Sequence, residues 1–423
     1  MEELIREKAI LVGVSIKGND KDFDYQMKEL ENLATACEFE VVGIMEQSLS
    51  DIVSATYIGS GKVEELKEAA KNLEADVIIF NGELTPSQLA NLANLTETSI
   101  YDRTYLILEI FAKRAKTKEA KLQVESARLS YLLPRLTGMG INMSRQGGGS
   151  GLHNRGSGEK KLELNRRKIN KRISEIENEL KKIEEIFVNQ RKMREKSNLP
   201  LVALVGYTNA GKSTILNSML SKYRQGEEDK KVFEKDMLFA TLETKVRHIT
   251  DENNKTFLLS DTVGFVSNLP HHLVKAFRST LKEAQYADLI LNVVDYSDDE
   301  NETHRNITLE TLDKIGVKNI PILTVYNKID KTELKKCTVN GDKIYISAKS
   351  NDGILLLTKE IIKNVFSNYT ECKLLIPFDR GDVVNRIISD ETVISTDYTE
   401  NGTLLSVSLS NEGVIRYKEF VTK

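Results

Sequence analysis

The stretch that most limits what this chain can fold into is Gly206-Tyr207-Thr208-Asn209-Ala210-Gly211-Lys212-Ser213-Thr214. It has the spacing Gly-x4-Gly-Lys-Ser/Thr. It follows the apolar run Leu201 to Val205 and leads into Ser213 to Leu220, whose pattern predicts a helix. In that setting the backbone N–H groups of the loop and the helix N-terminus converge on phosphate oxygens. Lys212 is then expected to pair with the β- and γ-phosphates, and Ser213 to ligate Mg²⁺. The spacing alone arises by chance, but rarely directly after an apolar strand.

Three companions follow in order. Asp261-Thr262-Val263-Gly264 comes after the strand-like run Thr256 to Leu259. Asp261 would hold the magnesium shell, and the Gly264 amide would sense the γ-phosphate. Thr241, within Leu238 to Leu242, is a candidate second hydroxyl on Mg²⁺; its weight comes from its place between the other two elements. Lys212, Thr241 and Gly264 are thus the groups expected to act catalytically. Asn327-Lys328-Ile329-Asp330 follows the run Ile322 to Tyr326. A carboxylate there accepts both N1–H and the N2 amine of guanine, whereas adenine would leave it unpaired at a cost of about 1–3 kcal/mol. Ser347-Ala348-Lys349, after Lys343 to Ile346, completes a base pocket. The four together predict GTP and GDP as ligands. Where many switch GTPases carry a water-orienting Gln, this chain has Phe265, which predicts slow intrinsic turnover.

The rest of the sequence bounds the setting. With 423 residues, 40% hydrophobic and 29% charged, the chain has ample core for one to three domains. No apolar run approaches the roughly 20 residues that span a bilayer. The first eight residues are too charged for a secretory signal. Three scattered cysteines and five histidines fit neither a disulfide framework nor a zinc cluster, so a cytoplasmic setting is expected.

The net charge of -3 hides a lopsided distribution. Glu119 to Lys196 holds 18 Lys or Arg against 10 Glu, a local +8. Such a block suits either a polyanion partner or a solvated helix surface. Thr104 to Leu133 reads as one long helix ended by Pro134, with a glycine-rich loop from Gly138 to Gly158. A second helix follows from about Glu159 to Lys196. Its apolar positions Ile169, Ile173, Ile176, Leu180, Ile183 and Phe187 alternate four and three apart, which is a coiled-coil seam. The pair predicts an antiparallel hairpin with a basic tip carrying Arg135, Arg145, His153 and Arg155, suited to nucleic acid.

Before it, runs at Ala9 to Ile16, Glu40 to Met45 and Asp76 to Phe80 alternate with helical patterns at Phe23 to Cys37 and Lys62 to Leu73. This predicts a parallel α/β domain, with Thr85-Pro86 opening a further helix. Gly59-Ser60-Gly61-Lys62 lacks the spacing of a second phosphate loop and reads as a helix start. The expected organisation is an α/β domain over 1–118, a helical hairpin over 119–197, a GTPase domain over 198–368 and a small mixed α/β domain over 369–423.

Longer strings resemble the HflX family of translational GTPases. They include Tyr57 to Leu66, Asp102 to Leu108, Ile110 to Ala115, Leu132 to Leu136, Leu238 to Leu242, Asp261 to Val266 and Leu269 to Leu281. The resemblance spans nearly the whole chain and extends to the apolar Phe265. It implies a cytoplasmic, Mg²⁺-using GTPase that binds the ribosome through the large subunit and its rRNA and separates stalled or idle ribosomes. It carries Arg155, Gly156, Gly158, Glu159, Arg166 and Arg167 onto the family's hairpin motif. Residues 151–163 otherwise depart from that motif. Arg135, Arg145, Arg155, Lys160, Lys161, Arg166 and Arg167 are the expected RNA contacts, and a monomer is expected. The alternative is a GTPase of large-subunit assembly or rRNA maturation; a further one is a scaffold with an incidental GTPase.

Overall fold

The computed structural model describes residues 6–17, 23–146, 155–195, 199–223, 245–253, 255–262, 264–265, 283–334, 336–367 and 369–422. These fall into two compact units, 6–182 and 183–422.

The first unit opens with β1 (Lys8–Ile16), α1 (Phe23–Ala36), β2 (Glu40–Leu49), α2 (Ser60–Asn72), β3 (Val77–Phe80), α3 (Pro86–Thr96) and β4 (Ser99–Asp102). The strands pair in the order β2-β1-β3-β4, all parallel. Ile10, Val12, Ile78 and Phe80 face Leu66 and Leu92 in the core. The alternation of apolar runs and helical patterns anticipated this domain; β4 (Ser-Ile-Tyr-Asp), unlike the equally short β3, has no apolar run to show it. Thr85 opens α3 as expected: its hydroxyl accepts the Gln88 N–H at 3.2 Å while the Gln88 side chain accepts the Thr85 N–H at 3.0 Å. α2 starts at Ser60, directly after the Gly59 cap.

The helix expected from Thr104 to Leu133 is in fact two, α4 (Arg103–Arg114) and α5 (Lys118–Gln146). Ala115 turns to an extended conformation, and the Thr117 hydroxyl accepts the Ala120 N–H at 3.2 Å, capping the new helix. Pro134 does not end α5 but lies inside it. Proline removes one N–H from the ladder and crowds the carbonyl four residues back. Here Arg135 ties the same turn with its side chain. Its Nη1 donates to the Tyr131 carbonyl at 2.8 Å, and its guanidinium lies 3.4 Å from the Tyr131 ring centroid. The glycine-rich loop is also shorter than its composition suggests. Gly138 and Gly140 lie in α5, Gly156 and Gly158 in α6 (Arg155–Glu195), and 147–154 lie outside the described residues.

α5 and α6 pair antiparallel. Lys118 meets Glu179 at 2.9 Å, and Glu125 meets Arg172 through two bonds of 2.7 and 2.9 Å. Advancing seven residues on one helix means retreating seven on the other. Ile176, fully buried, lies between these pairs, while Ile169, Ile173, Leu180 and Ile183 are half-buried, so the seam is dry only in part. The better buried face of α5 (Ala120, Val124, Ala127 and Tyr131) packs towards α3 and α4. The hairpin base is therefore continuous with the N-terminal sheet domain.

The second unit contains β5 (Leu201–Gly206), α7 (Lys212–Lys222), β6 (Lys245–Thr250), β7 (Thr256–Asp261), β8 (Leu289–Asp295), α8 (Asn301–Lys314), β9 (Ile322–Asn327), β10 (Thr338–Asn340), β11 (Lys343–Tyr345) and α9 (Ile354–Val365). The sheet order is β10-β11-β9-β8-β5-β7-β6, parallel except for the two edge strands. Interior strands such as Leu289–Asp295 are buried on both faces, which is why they read as unbroken apolar runs.

The tail forms β12 (Tyr369–Ile376), α10 (Gly381–Asp390), β13 (Thr392–Thr399), β14 (Gly402–Ser410), α11 (Asn411–Arg416) and β15 (Val421–Thr422). Its antiparallel order β13-β14-β12-β15 makes a split βαββαβ unit. Its core is Leu374, Ile376, Ile387, Leu405, Val407 and Leu409. Among the described residues, no helix is long and apolar enough to cross a membrane.

Candidate nucleotide site

The predicted site residues that the structure describes gather at the carboxyl ends of β5, β7 and β9 and in the loop after β11, where open α/β sheets bind ligands. The phosphate loop turns at Gly211 with φ of 95°, and a Cβ there would run into the Asn327 side-chain amide, so only glycine fits. The Lys212 ammonium donates to the carbonyls of Gly206 at 3.0 Å and Tyr207 at 2.8 Å. Burial pushes this group down from 10.5 to about 8; Asp261 opposes the shift and Lys328 adds to it. An ammonium has three donors, so a third remains for an anion at the loop. Tyr207 stacks on His304 of α8, with centroids 4.0 Å apart. Thr208 and Ala210 are buried, Thr214 is half-buried, and Asn209 is exposed at φ of 60°.

Ser213 Oγ donates to Asp261 Oδ2 at 2.7 Å. Two oxygen donors side by side, one of them a fully buried carboxylate, fit a hard divalent cation that takes its other ligands from phosphate and water. Thr262 Oγ1 donates to the Leu204 carbonyl at 2.7 Å, clamping the end of β7 to β5. Gly264 presses on the loop: a Cβ on it would lie 2.9 Å from Thr208 Cα and 3.0 Å from Lys212 Nζ. Thr241 and Val263 lie outside the described residues.

On the base side, Asn327 is a strut between two loops. Its Nδ2 donates to the Ala210 carbonyl at 2.9 Å and its Oδ1 accepts the Ala348 N–H at 2.9 Å, tying phosphate loop to base loop. Lys328, at φ of 66°, pairs with Asp295 at 2.8 Å. Ser347 Oγ donates to Asp330 Oδ1 at 2.6 Å and so fixes the carboxylate, which remains exposed. Ser218 of α7 holds the Ala348 carbonyl at 2.7 Å, and Lys349 is exposed beside it. The strut, Asp295 and the Tyr207–His304 stack escaped the sequence reading. An isolated His or Asp carries no signal until the sheet brings it to the loop.

The expected RNA contacts divide. Arg135 is not at a solvent-facing tip. Its side chain is 10% exposed and its Nη2 donates to Asp102 Oδ2 at 3.0 Å and to the Leu84 carbonyl at 3.0 Å. The reason is the continuation of α5 through Pro134, which places Arg135 on the turn that faces Asp102. Arg166 and Arg167 are exposed on α6, Arg167 paired with Glu163 at 2.5 Å. Arg145 lies on α5 and Arg155, Lys160 and Lys161 on α6, while His153 is outside the described residues.

A parallel sheet with a phosphate loop, an Asp-x-x-Gly element and an Asn-Lys-x-Asp base loop defines a P-loop GTPase domain. Residues 24–112 match the family described as GTP-binding GTPase N-terminal, 114–194 GTP-binding GTPase Middle Region, and 201–328 50S ribosome-binding GTPase. The chain is 41% identical to GTPase HflX of Caldanaerobacter subterraneus subsp. tengcongensis over 423 residues, covering 100% of this chain and 96% of that one. It is 36% identical to GTPase HflX of Escherichia coli over 409 residues, covering 95% and 92%. A solved structure titled as a complex of SsGBP and GDP is 27% identical, with TM-score 0.45 over 85% of this chain and 99% of that one. The chain belongs to the HflX family of GTPases.

Proposed function

We propose that this chain is a GTP-driven factor that binds the large ribosomal subunit through its basic hairpin and separates stalled or idle ribosomes into subunits. The observation that carries the nucleotide part is the convergence of Lys212, the Ser213–Asp261 pair and the Asn327 strut with Asp330 at one edge of a single sheet. Backbone and Lys212 bind the phosphates. Ser213 and Asp261, with Thr241 as the expected further hydroxyl, would hold Mg²⁺, which would supply neutralisation of phosphate charge. Asp330 selects guanine. Support for the ribosome comes from the family description matched by 201–328 and from the +8 hairpin segment, with Arg145, Arg155, Lys160, Lys161, Arg166 and Arg167 as RNA contacts. Bound GTP favours the ribosome-bound state; hydrolysis releases it. The protein acts in the cytoplasm as a monomer.

The test is GTP hydrolysis with and without purified ribosomes, followed by sucrose gradients. The expected result is faster turnover with ribosomes and GTP-dependent conversion of 70S particles to subunits. Migration only with immature large subunits would favour a role in assembly, and no stimulation by any ribosomal particle would sink both.

A further inference from the structure

Phe265 has no group that can orient water, yet its place is tightly specified. Its backbone adds a rung to the β5–β7 ladder past the end of both strands. The Phe265 N–H donates to the Gly206 carbonyl at 3.0 Å, and the Thr208 N–H donates to the Phe265 carbonyl at 2.7 Å. Its ring is among the largest fully buried side chains described. Gly264 lies between that rung and the phosphate loop, so close that a Cβ on it would crowd Thr208 and Lys212. A segment free to move would lose conformational entropy each time a γ-phosphate captured it, which weakens binding of triphosphate alone. A segment already zipped to the loop avoids most of that loss.

From this we propose that Phe265 is a positioning residue: its buried ring and two backbone bonds hold the Gly264 amide against the phosphate loop and so set the preference for GTP over GDP. The proposal rests on the reading that this loop binds guanine nucleotides. It adds a role for the residue that replaces the water-orienting glutamine. GDP, which lacks the γ-phosphate, does not use the Gly264 contact and should not register its loss.

The experiment is equilibrium binding of GDP and of GTPγS to the full chain and to Phe265→Ala and Phe265→Leu, with thermal unfolding of each. Phe265→Ala is expected to weaken GTPγS about tenfold, the scale of a typical coupling, and to leave GDP affinity unchanged. Phe265→Leu, which keeps an apolar anchor, restores the ratio. Equal weakening of both nucleotides, or no change in either, overturns the proposal. Failure of the unaltered protein to bind either nucleotide would instead overturn the reading of the loop. If Phe265→Ala does not fold, hydrogen exchange at the Thr208 amide of the unaltered protein decides. Slow exchange with both GDP and GTPγS is expected, and fast exchange with either overturns the proposal.

Discussion

Asp102 and Lys212 are both buried charges at the carboxyl ends of parallel sheets, and their neighbours treat them in opposite ways. Around Asp102 every lone pair has a protein partner. The Tyr131 hydroxyl donates to it at 2.8 Å, the Tyr105 N–H at 2.9 Å, Arg135 at 3.0 Å and the Leu84 N–H at 3.2 Å. Its charge is cancelled by an arginine from the hairpin, so the carboxylate works as a structural rivet between β4, α4 and α5. Lys212 is held by two neutral carbonyls, and the shift of its pKa to about 8 shows that burial outweighs the pull of Asp261. A charge steadied by dipoles but not cancelled by a bonded carboxylate is poised for an incoming anion. Burial alone does not mark a functional charge; the chemistry of its partners does.

That comparison can be broken at either end. The largest effect is expected at the rivet. Asp102→Ala leaves Arg135 buried without its carboxylate and removes the α4 cap, so stability should fall by about 3–5 kcal/mol in chemical denaturation, with GDP affinity preserved. A fall below about 1 kcal/mol would mean that water takes over the role of Asp102.

At the other end, Lys212→Ala removes the one buried cation of the phosphate loop. GTP affinity should drop about a hundredfold, since losing a close charged contact costs about 3 kcal/mol. Folding should be unimpaired, because burying this ammonium is unfavourable on its own. Fluorescent-nucleotide titration measures the first and thermal unfolding the second; a variant that binds GTP normally would remove Lys212 from the site.

The smallest effect sharpens the rivet. Burial, then the Asp102 charge, raises the Tyr131 phenol above its ordinary value of 10.0. A raised acid contributes stability that is complete below pH 10 and is lost as pH rises above it. Stability should therefore decline through the alkaline range, and Tyr131→Phe should lower stability near neutrality by about 1 kcal/mol while flattening that alkaline decline. Urea unfolding at a series of pH values would show it, and identical slopes in both proteins would count against the Tyr131–Asp102 bond.

Much of the second unit was legible because its signals are local. Gly206 to Thr214 must sit between a strand and a helix, Asp261 at a strand end and Asp330 in the turn just after one. The strand runs Leu201 to Val205 and Ile322 to Tyr326 end within one residue of their observed limits. The first unit was legible as far as β3 and α3. The reading failed where a local rule met a tertiary contact. Pro134 argues for a helix end, but packing of Tyr131 and Arg135 on Asp102 carries the helix through. Gly138 and Gly158 argue for loop, yet both lie in helices.

The sequence by itself determined the alternation of strands and helices in the two sheet domains, the phosphate loop with its guanine-selecting carboxylate, and the membership of the chain in its family. Each depends on residue type and spacing over a few positions. Only the tertiary structure decided that Arg135 faces a buried aspartate rather than solvent, that Asn327 braces two loops, and that Phe265 zips onto Gly206 and Thr208. These contacts join residues between about 20 and 120 positions apart, and such distances close only when whole sheets and helices are packed, because burial of apolar faces and not local propensity supplies the driving force.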